Sequence, residues 1–301
     1  MSLIALGTVA LDSVKTPSGT KEDLLGGSVT HFAMSARLFT KVHLVTIVGQ
    51  DFPQEHIQFL RKKGIDTTSI TMGTDKTFRW RGEYKKENLN AAITLETVLG
   101  VLMSYDPSIA DHQKNLPNIF LANFDPDIQV KLLDLVKKPR LIGLDSMNLW
   151  IDHKRESLLR LMKRVDLFVA NDAEARALTG EDNLIKAAKA LCKLGPKFIV
   201  VKKGEHGVLF FSDRFMFSFP AYPVEHVVDP TGAGDTFAGG LMGYLSKVNK
   251  LNEKTLKQAL IYATTLASFN VEGFGMEKTA PLTLVAVNAR MKKLLKFISH
   301  Q

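Results

Sequence analysis

The sequence of 301 residues has little cysteine and no long hydrophobic run. Its one cysteine, Cys192, excludes an intramolecular disulfide and disfavours a cysteine-rich metal site. No run of about 18 apolar residues occurs, so we expect no membrane span and no membrane partner. The first residues, MSLIALGTVALD, lack the basic region and the small-residue cleavage site of a secretory signal. We therefore expect a protein of the reducing cytoplasm.

Linkers rich in proline, glycine or serine are also missing, as are low-complexity tracts and internal repeats. Nothing in the composition divides the chain, so we predict one domain over 1–301. Short apolar runs predict strands buried on both faces at 3–11, 42–49, 119–124, 141–145, 167–172 and 198–204. Helical spacing predicts helices at 53–63, 127–137, 154–164, 183–194, 234–246, 253–269 and 283–297. This alternation predicts an α/β protein whose mostly parallel sheet is covered by helices on both faces.

Two stretches do not follow the alternation. Residues 13–27 are polar and turn-rich, and residues 77–84 (TFRWRGEY) alternate large apolar residues with arginine and glutamate. The second pattern is typical of a strand with one wet face. We predict that the two stretches pair as a small sheet, a lid formed by about 13–25 and 72–104. An extra edge hairpin without a lid function is the alternative.

The aromatic residues of the second stretch favour the lid. Phe78 and Trp80 would be unusual as exposed side chains, and their flat faces can stack on a nucleobase or on the apolar face of a sugar. On an alternating strand, Arg79 and Arg81 face the opposite way. If the aromatic residues face a site, these arginines do not, which favours an unphosphorylated substrate.

The formal net charge of +8 raises the question of a nucleic-acid partner. The basic residues are scattered, however, with one modest cluster at 290–297 and no nucleic-acid-binding motif. We expect no nucleic-acid partner. A basic surface of this kind favours small anionic ligands instead.

The most unusual stretch is DPTGAGDTFAGG at 229–240. As a loop followed by a helix, it places Gly232, Ala233 and Gly234 at a helix N-terminus, where free N–H groups and the helix dipole bind phosphate. Asp235 in the first turn can accept a proton from a hydroxyl that attacks such a phosphate. Asp235 can equally be a capping acid after a glycine turn. Local physics leaves the two roles open.

This stretch closely resembles the second signature of the ribokinase-like (PfkB) family of carbohydrate and nucleoside kinases. Further stretches that are similar to the family lie at 7–12, 26–38, 48–66, 171–180 and 201–211. The resemblance implies a ribokinase-like three-layer sandwich with a small β-lid. It also implies transfer of the γ-phosphoryl of ATP, with Mg²⁺, to a hydroxymethyl group of a sugar or nucleoside.

By this resemblance, Asp235 is the base, and the N–H groups of Gly232, Ala233 and Gly234 form an anion hole. Asn171 and Glu174 act through water on Mg²⁺ and the phosphates. These two residues also fit a capping cluster that starts a helix, and both roles can hold together.

The resemblance places the acceptor beside Asp12, whose carboxylate can bind two adjacent hydroxyls, with the backbone of Gly26 and Gly27 close by. From its position after an apolar run, we expect Asp12 to end a strand at the carboxyl edge of the sheet. His31 stands where sugar-specific relatives commonly have asparagine. It either helps to read the substrate or is a packed helix histidine.

On the nucleotide side, the resemblance places Lys202, Gly204 and Gly207. Lys202 stands where many relatives have threonine, so it meets phosphate directly or points into solvent. Asp229 and Thr231 are similar to positions that hold a monovalent cation, such as K⁺, in some relatives.

Three alternatives remain open from the sequence. The acceptor can be a sugar, a sugar phosphate or a nucleoside. The chain can also be a non-catalytic ligand sensor, although a sensor need not keep a base at 235. A lid with an apolar inner face can close alone or pair with its copy in a homodimer.

Overall fold

The structure is a computed structural model that describes residues 2–298. Its strands are β1 (Ser2–Leu6), β2 (Ala10–Thr16), β3 (Gly19–Gly26), β4 (Lys41–Gly49), β5 (Asp66–Gly73), β6 (Arg79–Lys85), β7 (Asn88–Val98), β8 (Asn118–Leu121), β9 (Leu141–Asp145), β10 (Leu167–Asn171), β11 (Phe198–Lys202), β12 (Val208–Phe211) and β13 (Met216–Phe219).

The helices pack around these strands. They are α1 (Ser28–Ala36), α2 (Gln54–Lys62), α3 (Pro126–Leu135), α4 (Asn148–His153), α5 (Arg155–Met162), α6 (Asp172–Thr179), α7 (Leu184–Lys193), α8 (Ala233–Lys247), α9 (Glu253–Asn270) and α10 (Leu284–Ile298). Short 3₁₀ helices lie at Gly100–Ser104, Asp111–Gln113 and Gly204–His206. No helix in this described part is both long and apolar enough to cross a membrane.

The main sheet has nine strands in the order β13-β12-β11-β10-β9-β8-β1-β4-β5. It is parallel from β11 to β5, and β12 and β13 extend it as antiparallel edge strands. Residues that are neighbours along a strand pack into different hydrophobic cores. Leu3 and Val169 lie in one core, and Ile4 and Phe168 lie in the other. Since side chains alternate along a strand, each face of the sheet has its own helix-covered core. The predicted α/β fold is confirmed.

A separate sheet of four strands, in the order β3-β2-β6-β7, forms the lid. One strand prediction was wrong here, because the apolar run at 3–11 is not continuous. The strand ends at Leu6, and the chain then crosses to the lid. Reciprocal hydrogen bonds hold this crossing: Thr8 N donates to Ser28 Oγ, and Ser28 N donates to Thr8 Oγ1, both at 3.1 Å.

The limits of the lid also differ from the predicted ones. The lid sheet consists of Ala10–Gly26 and Arg79–Val98, and residues 72–73 instead end β5 of the main sheet. Val101, within the predicted lid, is 1% exposed and packs in the core of the main body. The sequence pattern did not show these limits because β7 is exposed along almost its whole length and therefore has no alternation.

Candidate active site

The glycine-rich stretch does form a helix N-terminus. Gly232 caps α8 in the left-handed conformation, with φ of 72°. Only glycine fits this position, because a Cβ would also overlap the ring of His31. The N–H of Ala233 donates to Pro230 O at 3.1 Å, whereas the described residues offer no acceptor to the N–H groups of Gly232 and Gly234. Two of the three implied anion-hole donors are thus open.

Asp235 lies in the first turn of α8 and is partly buried. Removal from water, together with the charges of Asp145, Asp12 and Glu174, raises the pKa of its carboxyl to about 8. Lys202 opposes this shift. Asp235 is therefore influenced by three acidic groups and by one cation that favours its charged form.

That cation, Lys202, ends β11 and turns inward to Asp145, which ends β9. Its Nζ lies 2.9 Å from Asp145 Oδ2, and its side chain is 18% exposed. A Cβ on Gly234 would lie 3.0 Å from the same Nζ. Although burial alone lowers the pKa of Lys202, Asp145 and Glu174 raise it overall, so the ammonium stays charged. The solvent-facing alternative for Lys202 is excluded by this geometry.

Asn171 and Glu174 form a capping box at the start of α6. Asn171 Oδ1 accepts from Glu174 N, and Glu174 Oε2 accepts from Asn171 N, each at 2.7 Å. Burial raises the pKa of Glu174 to about 7, against the lowering charge of Lys202. The cap fixes Glu174 beside the Lys202–Asp145 pair. Carboxylate oxygens on this side of the site are of the kind that holds Mg²⁺ through water.

Asp12 is not at the end of a main-sheet strand, as its position after an apolar run suggested. It is the third residue of the lid strand β2 and is 6% exposed. Its Oδ2 accepts from Gly27 N at 3.1 Å and packs so closely on Gly26 that a Cβ there would overlap it. Burial raises its pKa to about 7 despite this bond. The lid strand therefore places Asp12 close enough to Asp235 for its charge to act on that carboxyl.

His31 lies on α1 beneath Gly232 and is 2% exposed. Burial lowers its pKa, against the charge of Asp229 and a contact with Asn270, so the ring is neutral. Its Nδ1 has no hydrogen-bond partner among the described residues. The ring supports the helix N-terminus from below, as in the packed-histidine alternative.

The inner face of the lid carries aromatic groups. Trp80 is the register partner of Asp12, so both side chains stand on one face of the lid sheet. The indole covers Gly82, and its Nε1 donates to Thr94 Oγ1 at 3.2 Å. Phe78 precedes β6 and is half-buried, and its backbone carbonyl accepts from Leu11 N.

The opposite face of the lid carries the arginines, as predicted from the alternation. Arg79 Nη2 lies 3.2 Å from Asp51 Oδ2, and the same guanidinium pairs with Asp23. Arg81 is exposed. Neither arginine is placed to meet a phosphate beside Asp12.

The loop before α8 is fixed from two sides. Asp229 accepts from Thr231 N at 2.9 Å and from Gly275 N at 3.2 Å. Asn270 Nδ2 donates to Thr231 O at 2.7 Å, and its Oδ1 accepts from Thr236 Oγ1 at 2.9 Å. Both Asp229 oxygens therefore already bind backbone amides. The proposal of a monovalent cation at Asp229 and Thr231 stays a prediction.

Gly204 and Gly207, which the resemblance places on the nucleotide side, flank a tight turn between β11 and β12. The tip of the lid reaches this turn, because a Cβ on Gly204 would overlap the side-chain amide of Asn90. The lid thus extends from Asp12 to this turn.

Comparisons with known proteins show the family to which the chain belongs. Residues 5–282 match the model of the pfkB family of carbohydrate kinases. The chain belongs to this family. It is 32% identical over 260 residues to the cytidine kinase of Thermococcus kodakarensis, covering 84% of this chain and 91% of that protein. As a PfkB kinase it is an enzyme, and the sensor alternative is excluded.

Solved structures resemble this PfkB kinase over nearly their whole length. An E. coli chain assigned as a ribokinase II, with ATP and Mg²⁺ bound, has a TM-score of 0.81 at 20% identity and covers 97% of this chain and 99% of its own. A Burkholderia thailandensis nucleoside kinase with ADP-inosine has a TM-score of 0.79 at 17% identity and covers 98% and 96%. These similarities confirm the ribokinase-like fold with its lid.

Two groups of this PfkB kinase site were not found as site residues from the sequence. Tyr84 lies on the lid, its hydroxyl 3.4 Å from Thr231 Oγ1, and burial raises its pKa to about 12. Asn270 ends α9, distant in sequence from the loop that it fixes. The alternation at 77–84 could have indicated Tyr84, since it has the same parity as Trp80. No local pattern marks Asn270.

Proposed function

We propose that this PfkB kinase transfers the γ-phosphoryl of ATP to the 5′-hydroxymethyl group of a ribonucleoside, with cytidine as the first acceptor to test. The observation that carries the proposal is the placement of Asp235 at the N-terminus of α8, between Lys202 on the nucleotide side and Asp12 on the lid. A base, a cation and an acceptor-binding carboxylate are the parts that such a transfer needs.

In this mechanism, Asp235 accepts the proton of the attacking hydroxyl. The open N–H groups of Gly232 and Gly234, with the Lys202 ammonium beside them, stabilise the charge that develops on the transferred phosphoryl. Asp145 holds that ammonium in place at 2.9 Å. Bound phosphates also add negative charge near Asp235, so Lys202 and the helix dipole keep the carboxylate usable as a base.

The residues that would hold Mg²⁺ are Glu174 and Asn171, acting through water. Mg²⁺ supplies neutralising charge to the phosphates and keeps most of its own waters, so it needs few protein ligands. The capping box fixes the Glu174 carboxylate in one orientation. A K⁺ ion near Asp229 and Thr231 is a further part of the proposal.

Asp12 would bind the ribose hydroxyls through the carboxylate oxygen that Gly27 N does not occupy. The flat face of Trp80, on the same side of the lid as Asp12, would stack on the base. The likeness to a cytidine kinase supports a nucleoside over a sugar. The engagement of Arg79 with acidic groups on the outer face of the lid disfavours a sugar phosphate.

A panel of acceptors tests this proposal. ATP consumption is measured with Mg²⁺ and K⁺ against cytidine, other ribonucleosides, ribose, fructose and sugar phosphates. The Asp12→Ala variant serves as a control that should lose acceptor use while it still binds ATP. We expect the highest kcat/KM with a ribonucleoside. A higher kcat/KM with a free sugar or a sugar phosphate would contradict the nucleoside assignment.

A further inference from the structure

A cluster of side chains of the types that can bind a metal ion lies at the edge of the main sheet opposite to the candidate active site. Asp145, Asn171 and Lys202 each end their strands, so the catalytic groups stand at the carboxyl edge. His43 lies near the start of β4, and its register partner Asp66 begins β5. His112, on the 3₁₀ helix Asp111–Gln113, completes the cluster, and one ligand atom of each residue lies within 4.8 Å of the others.

The spacing of these atoms is close to that of ligands around one small ion. Asp66 Oδ2 lies 3.1 Å from His43 Nδ1 and 4.0 Å from His112 Nε2. Ligand atoms around a tetrahedral ion with bonds of about 2.0–2.1 Å are roughly 3.3 Å apart. A small movement of the exposed His112 side chain brings all three ligands into this range.

His43 is the strongest indication of a ligand. It is 2% exposed, and neither of its ring nitrogens makes a hydrogen bond of normal geometry within residues 2–298. Neutral imidazole is the form of histidine that coordinates metals. Apart from the 3.1 Å contact of Nδ1 with Asp66, the buried ring has no polar partner of good geometry in the described part of the chain; this is costly, and a bound ion would remove part of that cost.

The other two ligands are held in position by their surroundings. Asp66 Oδ1 accepts from Thr68 N at 2.9 Å, which leaves Oδ2 directed at the histidines. Gln113, next to His112, accepts from Ser69 Oγ at 2.6 Å. This bond fastens the loop that carries His112 to β5. Outer-shell contacts of this type orient the ligands of metal sites.

We propose that His43, Asp66 and His112 bind a divalent ion of the zinc class, with water as the fourth ligand. Two imidazoles and one carboxylate suit Zn²⁺ and its neighbours in the transition series better than Mg²⁺ or Ca²⁺. Lys41 Nζ, 3.8 Å from Asp66 Oδ2, has a side chain that is 60% exposed and can turn away from the ion. The ion would join β4, β5 and the loop after the lid, and it would stabilise the fold without a part in catalysis.

The test is Zn²⁺ titration of the chelator-treated full chain by calorimetry, with Co²⁺ absorption to report the coordination. His112→Ala is the main variant, because this side chain is 56% exposed and its loss should not impair folding. Asp66→Asn, close in shape, is the second. His226→Ala is the matched control, since it removes a histidine that is 86% exposed and also stands beside a glutamate.

We expect one Zn²⁺ per chain, a Co²⁺ spectrum of four-coordinate type, and a higher melting temperature with Zn²⁺. Both cluster variants should weaken Zn²⁺ binding by at least about tenfold, as even outer-shell changes do. The control should bind Zn²⁺ normally, and kcat with the nucleoside should not change in His112→Ala. Equal Zn²⁺ affinity in His112→Ala and the parent, or no binding in the parent, would overturn the proposal.

Discussion

At the scale of single residues, the site brings together carboxylic acids whose burial disfavours their ionised form. The pKa of Asp12 and of Glu174 is raised to about 7, and that of Asp235 to about 8, chiefly by removal from water. Because the charges of Asp12 and Glu174 also raise the pKa of Asp235, the three acids do not all carry charge at neutral pH. The arrangement costs stability and, in the proposed mechanism, supplies a base whose pKa is close to the operating range.

This cost in stability should be measurable as a pH-dependent increase in the free energy of unfolding of the Asp235→Asn variant. In the unfolded chain this carboxyl ionises at its ordinary value of 3.8, and in the folded chain at about 8. Between these values folding takes up a proton, so stability falls as pH rises, by up to about 1.4 kcal/mol per pH unit. Urea unfolding should show the variant more stable than the parent at pH 8, with the difference shrinking towards pH 4. The exposed Glu225→Gln change is the control, and a gain independent of pH would contradict this explanation.

Lys202 should set the pH at which the base becomes active. In the proposed mechanism the acceptor hydroxyl loses its proton only to ionised Asp235, so kcat/KM for the acceptor should rise with pH through that pKa. Lys202 lowers the pKa, so the Lys202→Met change should move the rising limb to higher pH, in addition to lowering kcat. Profiles of kcat/KM against pH measure the shift. Lys203→Met is the matched control, and the same limb in both variants would show that Lys202 does not act on Asp235.

At the scale of elements, the alternation of side chains along the lid strand β6 places its tryptophan and its arginines on opposite faces of the lid. Trp80 shares a face with Asp12, whereas Arg79 binds acids on the other face. Trp80→Ala should raise the nucleoside KM about fivefold or more, because the proposed stacking on a base is worth about 1–3 kcal/mol. The KM for ATP should change little. Arg81→Ala, on the outer face, is the control, and equal effects of the two changes would contradict base stacking by Trp80.

An element could be predicted from the sequence where a local pattern determines it, and not where it depends on contacts between residues that are far apart in the sequence. The buried strands and α8 were predictable because their apolar runs and the DPTGAGD turn are local patterns. The break after Leu6 was not, because Thr8 is held by Ser28, which is 20 residues away. The Asn270 contacts with Thr231 and Thr236 span 39 and 34 residues, so no local pattern predicts them. The ring of His31 likewise packs against Gly232, which is far from it in the sequence.

At the scale of the whole molecule, the lid leaves one apolar surface without cover. β7 is the edge strand of the lid sheet, and its Ile93 and Leu95 are 48% and 54% exposed. Open edge strands with apolar residues favour pairing with another strand. A homodimer through the lid, one of the two arrangements that the sequence leaves open, would cover this edge.

Light scattering after size exclusion tests that association. Leu95→Lys should convert a dimer into a monomer by placing charge at the paired edge. Val285→Lys, which changes an apolar residue that is 80% exposed on α10, should leave the association state unchanged. A parent that is monomeric at micromolar concentration would contradict the dimer.

The central claim, that Asp235 is the base for nucleoside phosphorylation, is tested most directly by turnover of Asp235→Asn with cytidine and MgATP. Asparagine keeps the shape and cannot accept the proton, so we expect kcat to fall by at least about a hundredfold, the scale of general base catalysis. The nucleotide affinity, measured separately by calorimetry, should be nearly unchanged. Near-normal turnover of the folded variant would contradict the claim, and another group would then have to accept the proton.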